Sequence, residues 1–298
     1  MSSTEEIWMD FLRQLKRESG RRIVYVVGAS DSGKSTLCHF LYEKMRANFS
    51  CAYIDCDPGQ SSLGPPTTLA LKMSRPIKGY PGDEPVFLRF IGAVSPVGHL
   101  LQTLTGIKRL TDKAIAHRAV RIIIDSSGFV LGKQAMEFQF QVIDCLGPHY
   151  LVALQQEKEL EPLLANFRRN YRVRIRRFPV ADAVVARTPE QRREYRQEKF
   201  RRYFSNAKQH EIFYRYLGLH GMVPDLRDEN AYTNLLIALC DADNFVLSLG
   251  IVQDVNTAES RMKFIAPDYD EYKVRSIQFG SIYLNPDGSQ IIPQTEEE

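Results

Sequence analysis

Unbroken apolar runs that end on glycine, aspartate or glutamine dominate the first half of the chain. Ile23 to Val27 follows Arg21-Arg22 and stops at Gly28; Ala52-Tyr53-Ile54 stops at Asp55; Val120 to Ile124 stops at Asp125; Tyr150 to Leu154 stops at Gln155-Gln156. Runs this short and this apolar predict strands buried on both faces, the habit of parallel sheets. Between them the apolar spacing predicts helices opening at Ser35-Thr36-Leu37-Cys38-His39-Phe40-Leu41, over 132–146 and over 157–168. Tyr171-Arg172-Val173-Arg174-Ile175-Arg176-Arg177-Phe178 alternates, predicting a strand with arginines on one face, which also suits a charge-protected sheet edge. From Asn234 the pattern changes to short strands at 235–240, 245–252, 262–265, 274–279 and 281–284, with turn signals at Asp241-Ala242-Asp243-Asn244 and Asn285-Pro286-Asp287-Gly288. The expected architecture is α/β: a mostly parallel sheet flanked by helices, followed by a smaller C-terminal β-barrel or sandwich domain. Residues 1–20 read as an N-terminal amphipathic helix, 21–209 as the main domain, 210–294 as the β-rich domain and 295–298 as a disordered tail.

Composition narrows the class without naming a chemistry. The chain has 298 residues, 44% hydrophobic and 25% charged, enough to bury a substantial core. No apolar run approaches the roughly 20 residues needed to span a bilayer, and the N-terminus lacks the apolar segment of a secretory signal. Five scattered cysteines without C-x-x-C spacing predict reduced thiols, no structural zinc and a cytoplasmic, reducing setting; the six histidines form no metal-binding set.

The chemistry begins where the first strand ends. Gly28-Ala29-Ser30-Asp31-Ser32-Gly33-Lys34-Ser35 satisfies G-x-x-x-x-G-K-[ST] at every fixed position, between a predicted strand and a predicted helix. Such a loop wraps backbone N–H groups around phosphates at a helix N-terminus, with Lys34 reaching the β/γ oxygens and Ser35 serving Mg²⁺. Residues 28–36 are therefore the expected ATP-binding segment, in a P-loop kinase-type fold. Asp55 and Asp57 follow the second strand and Asp125 the third, on the sheet edge where ligands bind. From the residues alone, any of the three carboxylates can be the base or belong to the metal shell, and each can equally cap a turn. Gln155 and Gln156 stand where such folds often meet the nucleobase.

These segments, with Ile91-Gly92-Ala93-Val94-Ser95-Pro96 and Asp125-Ser126-Ser127-Gly128-Phe129, resemble the successive motifs of the RNA 5′-hydroxyl polynucleotide kinases. That family includes the messenger-RNA cleavage-factor kinase, the ribosomal-RNA-processing kinases and smaller archaeal and bacterial relatives. Arg192 to Phe204 is similar to the family's arginine lid, here about 187–204. The resemblance spans about residues 23 to 205 and weakens beyond. It implies that Asp57, in Asp57-Pro58-Gly59-Gln60, activates the attacking 5′-hydroxyl while Gln60 positions the acceptor. It implies phosphate and Mg²⁺ contacts from Lys34, Ser35 and Thr36, a metal shell of Ser35, Asp57 and Asp125, and lid arginines Arg192 and Arg196 on the transferring phosphoryl group. Ser127, Gly128 and Phe129 match a clasp that in larger relatives reads Thr-x-Gly-Trp and stacks on the acceptor nucleotide; Ser126 replaces the Thr and Phe129 the Trp.

Charge points the same way. The overall charge is +3, yet residues 168–208 hold 14 Lys/Arg against four Asp/Glu, a net +10 that leaves −7 for the remainder. A basic stretch interleaved with aromatics suits single-stranded nucleic acid. The expected activity is ATP- and Mg²⁺-dependent phosphorylation of a 5′-hydroxyl end, RNA favoured, with no membrane and no obligate protein partner. Two alternatives stay open: a switch NTPase, because Asp125-Ser126-Ser127-Gly128 fits D-x-x-G although no N-K-x-D follows, and an ATP-bound assembly module without transfer.

Overall fold

The computed structural model describes residues 3–180, 186–225 and 228–291, so the predicted tail at 295–298 lies outside the described residues. In chain order the elements are α1 (Ser3–Arg17), β1 (Arg22–Gly28), α2 (Lys34–Arg46), β2 (Cys51–Asp55), β3 (Thr68–Met73), β4 (Val86–Phe90), α3 (Leu100–Ala116), β5 (Arg121–Asp125), α4 (Lys133–Leu146), β6 (Tyr150–Gln155), α5 (Glu161–Ala165), β7 (Arg174–Pro179), α6 (Pro189–Phe204), β8 (Lys208–Phe213), β9 (Gly218–Gly221), β10 (Leu235–Cys240), β11 (Val246–Asn256), β12 (Arg261–Ala266), β13 (Ser276–Leu284) and β14 (Gln290–Ile291).

The first sheet has the order β4-β3-β2-β5-β1-β6-β7. Its five strands from β2 to β7 run parallel, as the continuous apolar runs require, because helices cover both faces. One face packs against α3, α4 and α5 around Ile122, Ile124, Leu151 and Val142; the other carries α1 and α2 through Phe11, Leu15, Leu37 and Leu41. The register sets Asp55 opposite Asp125 and Asp125 opposite Val26, so Gly28, Asp55 and Asp125 all emerge on one edge. β3 and β4 extend the sheet antiparallel beyond β2 and were not signalled by any apolar run. The helix expected over 157–168 is cut to the five residues of α5, which starts late with Pro162 in its first turn.

Buried arginine locks the N-terminal helix to this sheet. The Arg121 guanidinium, 2% exposed, donates to Leu15 O (3.0 Å) and Gly20 O (2.7 Å) and lies 4.3 Å over the Phe49 ring. It thereby satisfies carbonyls at the open end of α1 that the helix cannot bond itself. The alternating arginines of edge strand β7 are likewise largely committed within the fold. Arg174 bonds Glu18 and the Tyr150 hydroxyl, Arg176 bonds Gln14 (2.7 Å), and Arg177 joins Arg168 on Glu161 (2.6 Å each). Those three arginines thus reach both sides of the strand, α1 on one and α5 on the other. Arg177 first, then Gln155 and Arg168, holds the Glu161 carboxyl far below the usual carboxylate range.

The β-rich C-terminal part is one sheet, β14-β13-β10-β11-β12-β8, antiparallel except where β9 joins β13 in parallel. The runs expected at 274–279 and 281–284 are a single strand, β13, with Gly280 inside it. In β10 every residue is buried, since Leu235, Ile237 and Leu239 face the sheet's own core while Leu236, Ala238 and Cys240 face a second one. That second core is shared with the rest of the molecule: it contains Phe90 from β4 and Phe200 and Phe204 from α6. The turn before β14 closes on the same helix. A Cβ on Gly288, whose φ is +83°, would fall 2.7 Å from Arg201 N and 2.9 Å from Gln197 O. The C-terminal half of α6 is therefore a structural wedge between two sheets. Phe200→Ala is expected to cost about 3–5 kcal/mol, the range for emptying a fully buried aromatic site, read as a lowered midpoint in denaturant unfolding.

Candidate active site

At the carboxyl edge of the parallel sheet a cavity of about 300 Å³ opens between the β1–α2 loop, the β2 exit and α6. Ser30 to Thr36 form its floor, Asp55, Asp57, Gln60 and Ser62 one wall, and Arg187, Arg192 and Tyr195 its roof. The loop curls because Gly33, with φ +89°, turns the chain into α2 with its amide groups pointing inward. Lys34 is buried and donates to Ala29 O at 2.7 Å, folding its ammonium back across the loop it belongs to.

The three carboxylates have distinct surroundings. Asp55 is saturated: Oδ1 accepts from Asp57 N (3.1 Å), and Oδ2 from Ser62 N (2.6 Å), Ser62 Oγ (2.9 Å) and Ser61 Oγ (3.2 Å). Asp125 is buried, takes the Tyr53 hydroxyl on Oδ2 (3.0 Å), and leaves Oδ1 without a partner among the described residues. Burial, and then the Asp55 carboxylate across the register, push its pKa up, opposed by Lys34 and by the hydroxyls of Ser35 and Tyr53 nearby. Asp57 is only partly buried and lines the cavity. Its Oδ1 accepts from Gly59 N and Gln60 N, 2.9 Å each, while Oδ2 has no hydrogen-bond partner among the described residues. The loop that carries it is braced from below, Thr67 N donating to Pro58 O (2.7 Å) and Ile91 N to Thr67 O (2.8 Å).

The helix above is started by a capping box, Thr188 accepting from Gln191 N and donating its own amide to Gln191 Oε1. Arg192, Tyr195, Arg196 and Lys199 fall at i, i+3, i+4 and i+7 and so share one face. Arg192 Nη2 reaches Asp31 Oδ2 at 2.8 Å, Tyr195 OH donates to Ser61 O (2.9 Å) and Lys199 Nζ to Ser62 O (3.2 Å). Arg187 Nη1 holds Gln60 Oε1 (3.2 Å). Arg196 is half-buried one turn further along and does not line the cavity.

Other expected site residues lie elsewhere. Ser127, Gly128 and Phe129 do not line the cavity. Phe129 is partly buried and leans on the hydrophobic core, 6.1 Å from the Phe138 ring. Gly128 instead supports the phosphate loop: a Cβ on it would come within 2.1 Å of Ser30 Oγ and 2.7 Å of Ser30 N. Gly128→Ala must displace the loop backbone, and ATP affinity is expected to fall about tenfold or more, since each 1.4 kcal/mol of lost fit is a factor of ten; calorimetric titration measures it. Gln155 does not line the cavity; its Nε2 donates to Glu161 Oε1 (2.9 Å) and its Oε1 accepts from Leu160 N (3.2 Å). Arg187, Ser62, Ser126 and Tyr195 line the cavity without having been singled out as site residues, although Arg187 and Tyr195 fall within the expected lid and Ser126 within the clasp match.

A phosphate loop at the end of β1, acidic side chains at the ends of its parallel neighbours and an arginine-bearing helix overhead define a P-loop nucleotide-binding protein of the phosphotransferase kind. The sequence from 28 to 206 matches the family described as the P-loop domain of the mRNA cleavage and polyadenylation factor CLP1, and the chain belongs to that family. It is 26% identical to a polyribonucleotide 5′-hydroxyl-kinase of Pyrococcus furiosus, covering 93% of this chain and 91% of that one. It is 25% identical to a protein of the same name from Methanocaldococcus jannaschii, covering 90% and 88%. Clp1p in a solved Clp1p–Pcf11p complex shares the fold, with TM-score 0.71 at 16% identity over 94% of this chain and 80% of that one.

Proposed function

We propose that this protein is an ATP-dependent polynucleotide 5′-hydroxyl kinase, transferring the γ-phosphate of ATP to the 5′-OH end of RNA. One observation carries the reading: a single cavity is lined by the phosphate loop, by a carboxylate with one unengaged oxygen, Asp57, and by a lid arginine, Arg192. Phosphoryl transfer asks a protein chiefly for in-line positioning and for positive charge around the equatorial oxygens, and this site supplies both. The loop amides and Lys34 hold the triphosphate. Asp57 Oδ2 takes the proton of the attacking hydroxyl while Gly59 and Gln60 amides fix Oδ1, and Gln60 helps seat the acceptor. Arg192 offsets the charge that develops as the bond to ADP breaks, and Arg196, on the same helix face but outside the cavity lining, adds to the positive field.

The residues also fit Mg²⁺. Mg²⁺ takes most of its ligands from water and phosphate and needs few from protein. Ser35 and Asp57 line the cavity and would hold it; Asp125 does not line the cavity, and its buried, partnerless Oδ1 would reach the ion through a water. When bound, Mg²⁺ neutralises charge on the β and γ oxygens. The cytoplasmic setting expected from the cysteines belongs to the same proposal.

The test is transfer of labelled γ-phosphate to matched 5′-hydroxyl and 5′-phosphoryl RNA and DNA oligonucleotides. Label on the 5′-hydroxyl strands alone is the expected result, with RNA ahead of DNA. Phosphate release indifferent to added strands would replace the kinase with a switch NTPase, and bound ATP without either product would leave an assembly module.

A further inference from the structure

Asp31 sits inside the phosphate loop, where an anion is unfavourable for binding a triphosphate and where its φ of +55° is cheaper for glycine than for any other residue. Its side chain lines the cavity and reaches across to the roof. Oδ2 accepts from Arg192 Nη2 at 2.8 Å and from the Arg187 amide at 3.1 Å, both on the far side of the cavity. The pair is partly shielded, Asp31 19% and Arg192 33% exposed at the side chain. The carboxylate also faces the N-terminal end of α6, whose capped first turn favours a negative charge. The C-terminal half of α6 is fixed between two sheets, and Asp31 is the charged foothold of the half that roofs the site, beside the neutral contacts of Gln60 with Arg187 and of Ser61 with Tyr195.

We propose that Asp31 is a positioning residue for the lid: its carboxylate seats Arg187 and Arg192 on the phosphate loop and so holds the Arg192 guanidinium at the mouth of the cradle. Its effect on transfer rests on the kinase reading above; its effect on the lid does not. Asp31→Gly removes the carboxylate while relieving the left-handed backbone, so it is built to fold. In native-state hydrogen exchange the Arg187 amide and its neighbours to Tyr195 are expected to exchange roughly tenfold faster in this variant. Transfer to a 5′-hydroxyl RNA oligonucleotide at saturating ATP is expected to slow by about tenfold or more, with KM for ATP unchanged or lower because a negative charge has left the cradle. Adding Asp31→Gly to Arg192→Leu should then change the rate little further, as for two residues acting through one contact. Unchanged exchange, a raised KM with kcat intact, a faster reaction, or additive losses in the double variant would each overturn the proposal. A wild-type protein that transfers nothing to RNA would sink the kinase reading instead, and the exchange comparison would still decide the role of Asp31.

Discussion

Asp57→Asn is expected to bind ATP as the wild type does and to transfer phosphate about 10²–10⁴-fold more slowly, the usual contribution of a positioned general base. The amide is the informative replacement because of how Asp57 is held. Its Oδ1 accepts from Gly59 N and Gln60 N at 2.9 Å, and an asparagine oxygen can keep both bonds, so the loop stays where it is. What the amide cannot do is take a proton on the other atom. Asp55→Asn makes the contrast: all its contacts are donors, and an NH₂ turned toward Ser62 or Asp57 N would break the β2 exit and lower stability as well as rate. Single-turnover transfer with calorimetric ATP binding separates the two. A fully active Asp57→Asn would move the base role to Asp55 or Asp125.

Arg196→Leu is expected to lower turnover by ~10³, the lower end for an arginine that stabilises a transferring phosphoryl group, with little change in ATP affinity. Arg196 has no ion-pair or hydrogen-bond partner among the described residues, although it is half-buried. Burial, and then Arg193 and Arg192, lower its pKa, with only Asp57 opposing them. A guanidinium keeps its charge in such surroundings, and an unpaired, partly desolvated cation is stabilised most by an arriving anion. Lysine should restore only part of the rate, since it brings charge without the planar fork. Steady-state kcat and KM for both variants check this; an unaltered rate in Arg196→Leu would return the residue to an ordinary solvated helix face.

The strands that are buried on both sides were the legible part of the fold. Ile122 to Ile124 and Leu235 to Cys240 announce themselves because nothing polar interrupts them. β3 was silent because Lys72 breaks its run, and β4 because Arg89 breaks its own; Arg89 reaches across to Asp243 O at 3.0 Å, a partner the sequence gives no hint of. The phosphate loop was legible from its fixed positions, but the pattern leaves its third variable position blank, and there stands Asp31, whose partner lies 161 residues away. Phe129 was assigned by resemblance, and its surroundings went unread: Phe138 nine residues on gives it a core to lean against. The basic stretch was legible as charge, not as commitment, since Glu18 and Glu161 that take up its arginines come from outside the strand.

With Phe200 and Phe204 buried between the sheets and Gly288 pressed on Gln197 and Arg201, α6 is clamped by packing at its C-terminal half and held by polar contacts to Asp31 and Ser61 at the other. At 1.5 Å per residue, Arg196 stands about 6 Å from the clamp at Phe200 and Arg192 about 12 Å. A tilt about that clamp would carry Arg192 about twice as far as Arg196. Under the proposed kinase reading the two arginines, alike in sequence, would then differ mechanically: Arg192 stands farther from the clamp and is tied to Asp31, while Arg196 stands nearer to it.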